Sequence, residues 1–201
     1  EGKTTMVVRS GDRYLGILGL MDTPREDARE VIRQLRDIGL THLIMLTGDN
    51  QQVADAVAKE LDIDDPKGSL LPEEKVEAIK RLREEGQNVA MVGDGVNDAP
   101  AMAHSTVGIA MGAAGSDVAL ETADVALMAD RLSTLPFAIE LSRKTKTIIK
   151  QNLWISLGMV VVLIPATILG LNIGAAVLAH EGSTLVVVFN ALRLLGYKPD
   201  F

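Results

Sequence analysis

No cysteine occurs in the 201 residues, which removes disulfides, thiolate metal sites and cysteine nucleophiles from consideration. Aromatic residues are scarce, with three Phe, two Tyr and one Trp. No Lys/Arg run with interleaved aromatics appears, and the formal net charge is −7. Both features argue against a nucleic-acid partner. Glu1-Gly2-Lys3 offers neither an initiator Met nor a signal-peptide pattern, so the chain reads as the middle of a longer protein. Internal repeats and low-complexity segments are absent as well. What is present in quantity is apolar material: 47% of positions are hydrophobic, enough for one full domain with something to spare.

Charge is missing altogether from Gln151 to Ala179. That stretch is too long for one membrane span of roughly 20 residues, and Gly170-Leu171-Asn172-Ile173-Gly174 supplies a turn signal part-way along. A helical hairpin is expected, with spans near 151–170 and 174–195. The alternative is a pair of buried core helices, against which stands the lack of any polar face. Arg143, Lys144, Lys146 and Lys150 precede the first span, and Arg193 with Lys198 ends the second. By the positive-inside bias both ends face the cytoplasm and the Asn172 turn lies on the far side.

The first 150 residues alternate helix and strand. Thr23-Pro24-Arg25-Glu26 resembles a capping box with Pro at the first helical position, and the helix is expected to run to Gly39, a good residue just past a helix end. A strand at His42–Leu46, helices at Asn50–Leu61 and Pro72–Glu85, and a strand at Asn88–Val92 follow. Two short strands near Thr106–Met111 and Asp124–Met128 flank a helical segment from Ser116. This order implies an α/β domain with a parallel, Rossmann-like sheet covered by helices. Ligands of such sheets gather beyond the carboxyl ends of the strands, where both Thr47-Gly48-Asp49 and Gly93-Asp94-Gly95-Val96-Asn97-Asp98-Ala99-Pro100 fall.

The second of these loops is the most informative string in the chain. Glycines at 93 and 95 are expected to permit a tight turn with φ > 0 and close approach of a ligand. Asp94 and Asp98 project hard oxygen donors from one short loop, which suits Mg²⁺. An exposed acidic turn is the bland alternative. An EF-hand is excluded, because Ser105 stands where the loop would need its bidentate Glu. Thr47 offers a hydroxyl and a backbone N–H to phosphate oxygens, although T-G-D alone is as well explained by a turn. Lys75, one turn into the helix after Pro72, would alone be a surface lysine. Together, a hydroxyl, a lysine and two Mg²⁺-type acids in this order are the parts that phosphoryl transfer requires.

In those residues the chain resembles the P-type cation-transporting ATPases, whose phosphorylation domain is of the haloacid-dehalogenase-like type. The matching residues are Met21-Asp22-Thr23-Pro24-Arg25, Met45-Leu46-Thr47-Gly48-Asp49, Pro72-Glu73-Glu74-Lys75 and Met91 through Pro100. The resemblance implies that Asp94 is a direct Mg²⁺ ligand, supported by Asp98, and that Asn97, Thr47 and Lys75 contact the phosphoryl group. It places Asp49, with Gly48 and Gly95 beside it, near bound ATP. It further implies four segments: 1–21, the last edge of a nucleotide-binding domain and a hinge; 22–131, the phosphorylation domain; 132–150, a cytoplasmic stalk helix; and 151–201, the membrane hairpin and tail. The family's nucleophile, the Asp of Asp-Lys-Thr-Gly-Thr, does not occur here. The chain is therefore expected to be the C-terminal piece of a longer enzyme and inactive alone. The competing reading is a membrane-tethered phosphatase that uses Asp22.

The cargo is read from the second span. His180-Glu181-Gly182-Ser183-Thr184 places ionisable groups about 10 Å inside the membrane, where an acid costs at least ~2.5 kcal/mol and implies a function. Ser183 and Thr184 serve helix packing equally well. Imidazole with carboxylate suits borderline divalent ions, and the lack of sulfur argues against Cu⁺. His180, Glu181 and Thr184 are thus candidate ligands of a transported ion. Both His180 and Glu181 reach one ion only if rotamers help or Gly182 loosens the helix. The string, followed by Asn190-Ala191-Leu192-Arg193-Leu194-Leu195, resembles the cobalt/zinc branch of the heavy-metal pumps. The implied setting is a prokaryotic inner membrane, with residues 1–150 cytoplasmic. The implied partners are lipid, a divalent metal and the rest of the pump polypeptide. His42 and His104 have no paired ligand nearby and are expected to be packing or surface residues.

Overall fold

A computed structural model describes residues 4–20, 23–93, 96–112, 121–128 and 131–199. The chain divides into two compact units, Glu1–Pro136 and Phe137–Phe201.

The first unit begins with an antiparallel hairpin that the sequence reading did not anticipate, β1 (Thr4–Ser10) against β2 (Arg13–Leu20). Its turn is Gly11-Asp12, with Gly11 at φ +57°, a pairing favoured in two-residue hairpin loops. The Arg9 guanidinium pins the turn by bonding the Gly11 carbonyl and, at 2.9 Å, the Asp12 carboxylate.

Helix α1 spans Ala28–Asp37. Gly39 follows it at φ +88°, as expected of a residue just past a helix end. The proposed start at Thr23-Pro24 is wrong: residues 25–28 form a turn closed by the Ala28 N–H on the Arg25 carbonyl. The helix begins only where its buried face, Ala28, Val31 and Leu35, begins, because burial of an apolar stripe decides where a short helix is stable. At its far end Arg36 reaches Asp64 at 2.9 Å. The Leu43 N–H, and then Arg36, hold the Asp64 carboxyl below its ordinary value.

Strand β3 (Ile44–Leu46) and helix α2 (Gln51–Leu61) follow, with the Asn50 side chain capping the helix by accepting from the Val53 N–H. A short strand, β4 (Asp65–Lys67), pairs in parallel with β3. Helix α3 (Pro72–Glu84) starts with Pro72 at its first turn and the Glu74 carboxylate on the Leu71 N–H at 2.8 Å. Then come β5 (Ala90–Gly93), helix α4 (Ala99–His104), β6 (Val107–Met111) and β7 (Val125–Leu127), with β5-β6-β7 all parallel. The expected helical segment from Ser116 lies mostly outside the described residues. One core joins the elements that carry the site: Ile79 of α3, Met91 of β5, Ala99, Ala101 and Met102 of α4 and Ala110 of β6, with Leu46 of β3 and Val76 of α3 packed against it.

The second unit is two long helices. Helix α5 (Thr134–Ile168) runs without interruption through the segments expected as stalk and first span, and at about 1.5 Å per residue it is far longer than a bilayer's ~30 Å hydrocarbon core. Gly170, at φ +103°, ends it. Helix α6 (Ile173–Leu192) begins with the Asn172 side chain accepting from the Gly174 N–H at 2.7 Å. The turn therefore sits where the sequence placed it. Both helices are long and apolar enough to cross a membrane and are almost wholly unburied. Pro165, near the end of α5, removes one backbone donor.

Candidate active site

Three of the residues singled out in the sequence are each one position away from the common core. Leu46 precedes Thr47, Lys75 precedes Val76 and Asp98 precedes Ala99. Packing of the apolar neighbour therefore fixes where each polar side chain emerges. Lys75 and Asp98 meet: the lysine Nζ donates to Asp98 Oδ1 at 2.8 Å, with 14% and 16% of the two side chains exposed. A charged pair so nearly out of water is held firmly, since either group alone would be desolvated without compensation.

Gly93 ends β5 immediately before this site. It is not in the left-handed region, so the tight-turn reason given for it does not apply. Its lack of a side chain matters for a different reason. A Cβ there would sit 2.7 Å from the Asp98 Cβ and 3.2 Å from its Cγ. Asp98 occupies the space a residue-93 side chain would need. Asn97 lies on the 3-10 turn Val96–Asp98 with its side chain exposed. Asp94 and Gly95, and the alternative nucleophile Asp22, lie outside the described residues.

Thr47 is organised locally. Its hydroxyl donates to Asp49 Oδ2 at 2.9 Å and accepts from the Asp49 N–H at 3.1 Å. The backbone N–H that the sequence offered to phosphate is already used, on the Lys67 carbonyl at 2.9 Å. The reason is β4, whose pairing with β3 continues one step past Leu46. Only the Thr47 hydroxyl thus remains for a ligand, and it must turn away from Asp49 to donate.

Sequence reasoning missed the segment that steadies this loop. The Leu70 N–H bonds the Thr47 carbonyl at 3.0 Å, the Ser69 N–H bonds the Asp49 carbonyl at 2.5 Å, and the Gly68 N–H bonds Gln51 Oε1 at 2.7 Å. A Cβ on Gly68 would lie within 2.9 Å of the Gln51 Cα and N and the Asp49 carbonyl oxygen. The Lys67-Gly68-Ser69 cluster was a visible turn signal. Nothing local said which loop it would clasp.

On α6, His180 and Glu181 are exposed and Ser183 is buried. The helix runs unbroken through Gly182, so the loosening that would aim His180 and Glu181 at one point does not occur, and they stay about 100° apart around the axis. The Ser183 hydroxyl donates to the His180 carbonyl at 2.6 Å, and Thr184 does so at 3.4 Å. Among the described residues no three His, Cys, Asp or Glu side chains cluster as a metal site. His104 bonds the Pro100 carbonyl through Nδ1 at 2.9 Å and is exposed, as a surface residue should be.

Fold and side chains together define a parallel-stranded α/β domain with a lysine–carboxylate pair beyond its strand ends, joined to two long apolar helices. The chain belongs to the haloacid dehalogenase-like hydrolase family, whose profile matches residues 1–106. It is 47% identical over 199 residues to a cadmium-transporting ATPase of Staphylococcus aureus, an alignment covering 98% of this chain and 27% of that relative. To a zinc-transporting ATPase of Bacillus subtilis (strain 168) it is 46% identical over 196 residues, covering 97% and 30%. The crystal structure of a zinc-transporting PIB-type ATPase in the E2.Pi state superposes with a TM-score of 0.84 and 46% identity, over 96% of this chain and 32% of that one. The chain thus spans less than a third of the length of these relatives.

Proposed function

We propose that this chain is the part of a divalent-metal-exporting P-type ATPase that holds the phosphate-binding side of the phosphoryl-transfer centre and the last two membrane helices. The observation that carries this reading is the Lys75–Asp98 pair, placed beyond β5 by the same core that positions Thr47. Lys75 supplies a fixed positive charge for the oxygens of a transferring phosphoryl group, and Thr47, with Asn97, supplies neutral donors. Lysine occupies Asp98 Oδ1, which leaves Oδ2 as a hard oxygen donor. That donor set fits Mg²⁺, which takes one or two carboxylates and keeps waters and phosphate oxygens for the rest. Asp94 and Asp98 are the residues that would hold it. Bound Mg²⁺ neutralises charge on the phosphates of ATP. The accepting Asp lies elsewhere in the full polypeptide, together with the rest of the nucleotide site.

The two apolar helices then belong in a membrane, in a prokaryotic setting the plasma membrane, with residues 1–150 in the cytoplasm. The cargo passes His180, Glu181 and Thr184, and because those residues do not converge on α6, earlier membrane helices complete the site. The donor chemistry selects a borderline divalent ion. The sequence pattern favours Co²⁺ or Zn²⁺, and the relatives above are named for cadmium and zinc. Zinc is common to both and is the ion we assign first.

Substituting His180→Ala or Glu181→Ala in the full-length protein should abolish metal-stimulated ATP hydrolysis while sparing phosphorylation by inorganic phosphate. Metal stimulation at the wild-type level in both variants would reduce the motif to helix packing.

A further inference from the structure

Beyond the cargo site, α5 and α6 are joined by a polar clasp with a definite direction. Arg193 Nη1 donates to Asn190 Oδ1 at 2.9 Å, and Asn190 Nδ2 donates to Asn152 Oδ1 at 2.8 Å and Gln151 Oε1 at 3.1 Å. Every side-chain carbonyl oxygen in the group therefore already accepts one hydrogen bond. Among the described residues no acceptor meets the amide nitrogens of Gln151 and Asn152, and Arg193 has further N–H groups beyond the one committed to Asn190. What the clasp still offers most of is N–H donors, plus the charge of Arg193. Lys150 adjoins it in sequence, and no Asp or Glu occurs from Leu141 to His180. A donor-rich, cationic cluster without a carboxylate is chemically suited to an oxyanion.

We propose that Arg193, with the amides of Gln151 and Asn152, binds the phosphodiester headgroup of an anionic lipid. This rests on the membrane reading of the two helices given above. A lipid fits better than a soluble phosphate because of what adjoins the clasp. Charged residues cease at Lys150, so the cluster marks the level at which the apolar surface begins. Immediately next to it Leu153, Trp154 and Phe189 are exposed, at 65%, 73% and 66%, and present apolar surface to acyl chains. Trp154 is the only tryptophan of the chain and stands at the depth where interfacial aromatics anchor a helix.

The test is native mass spectrometry of the full-length protein in detergent, titrated with phosphatidylglycerol or phosphatidylcholine. Phosphatidylglycerol should be retained preferentially. Arg193→Gln should weaken that retention about fivefold, the worth of one cation at a lipid surface, with phosphatidylcholine unaffected. Arg193→Lys, which keeps the charge but not the fork of donors, should fall between. Lys146→Gln removes the same charge away from the clasp and should leave the preference intact. Equal retention of both lipids, no change in Arg193→Gln, or an equal loss in Lys146→Gln would overturn the site. Displacement of the lipid by excess inorganic phosphate would assign the clasp to a soluble oxyanion and overturn the lipid. A full-length protein that remains in solution without detergent would instead defeat the membrane reading itself.

Discussion

Lys75→Ala in the full-length protein should lower the rate of phosphoenzyme formation from ATP by about 10²–10³-fold, the usual loss when one charge-stabilising donor is removed from a transfer site. The same change leaves the Asp98 carboxylate, only 16% exposed, without its cation. Removing one partner of a buried ion pair costs up to about 3–5 kcal/mol, so the unfolding transition should also fall. The two effects separate in a double-mutant cycle with Asp98→Asn. Neutralising both residues should recover part of the stability and none of the activity, because the pair is mutually compensating whereas the chemistry needs the charge. Phosphoenzyme forming at the normal rate in Lys75→Ala, read by acid quench after mixing with labelled ATP, would remove Lys75 from the site.

Gly93→Ala should be nearly as damaging, although alanine adds a single methyl group. Its Cβ would lie 2.7 Å from the Asp98 Cβ and 3.1 Å from Oδ2. The Cβ is tied to the backbone and cannot swing aside like the tip of a long side chain. Asp98 or β5 must move, and the Lys75 ion pair moves with it. Overpacking of this kind costs about 1–3 kcal/mol, and a displacement near 1 Å at a reacting centre can cost ~10²-fold in rate. The variant should therefore show a slower phosphoenzyme rate and a higher Mg²⁺ requirement. Gly16→Ala, where a Cβ meets nothing within 4 Å, is the matched control for phosphorylation. A wild-type Mg²⁺ titration for Gly93→Ala would show that Asp98 tolerates the contact and is not placed by it.

The parts of the fold that were legible are those whose cause is local. Asn50 is a capping residue at a helix start, Gly39 ends a helix in a conformation that glycine adopts readily, and the apolar Met91-Val92 before a glycine-rich loop reads as a strand. Strand β4 was not legible, because Asp65-Pro66-Lys67 has no strand character of its own. It becomes a strand only by pairing Ile44↔Asp65 and Leu46↔Lys67, and that pairing also took the Thr47 N–H out of the site. The β1–β2 hairpin has a local signal too, Gly11-Asp12 between its strands. In the candidate site, the sequence offered residue types and their order but not their contacts. The partnership of Lys75 with Asp98 spans 23 positions and had to come from the packed core. The role of Gly93 is the clearest such case: the sequence marks a glycine, and only the structure shows that its function is to make room.

The most direct test of the whole account is ATP hydrolysis by the full-length protein against Zn²⁺, Cd²⁺, Co²⁺, Ni²⁺ and Fe²⁺, with the present chain alone assayed on a phosphate ester in parallel. Hydrolysis by the full-length protein should be stimulated by a divalent transition metal, Zn²⁺ foremost, with no turnover by the chain alone. Metal-independent hydrolysis in the full-length protein, together with phosphatase activity of the chain alone that Asp22→Asn abolishes, would contradict the pump assignment.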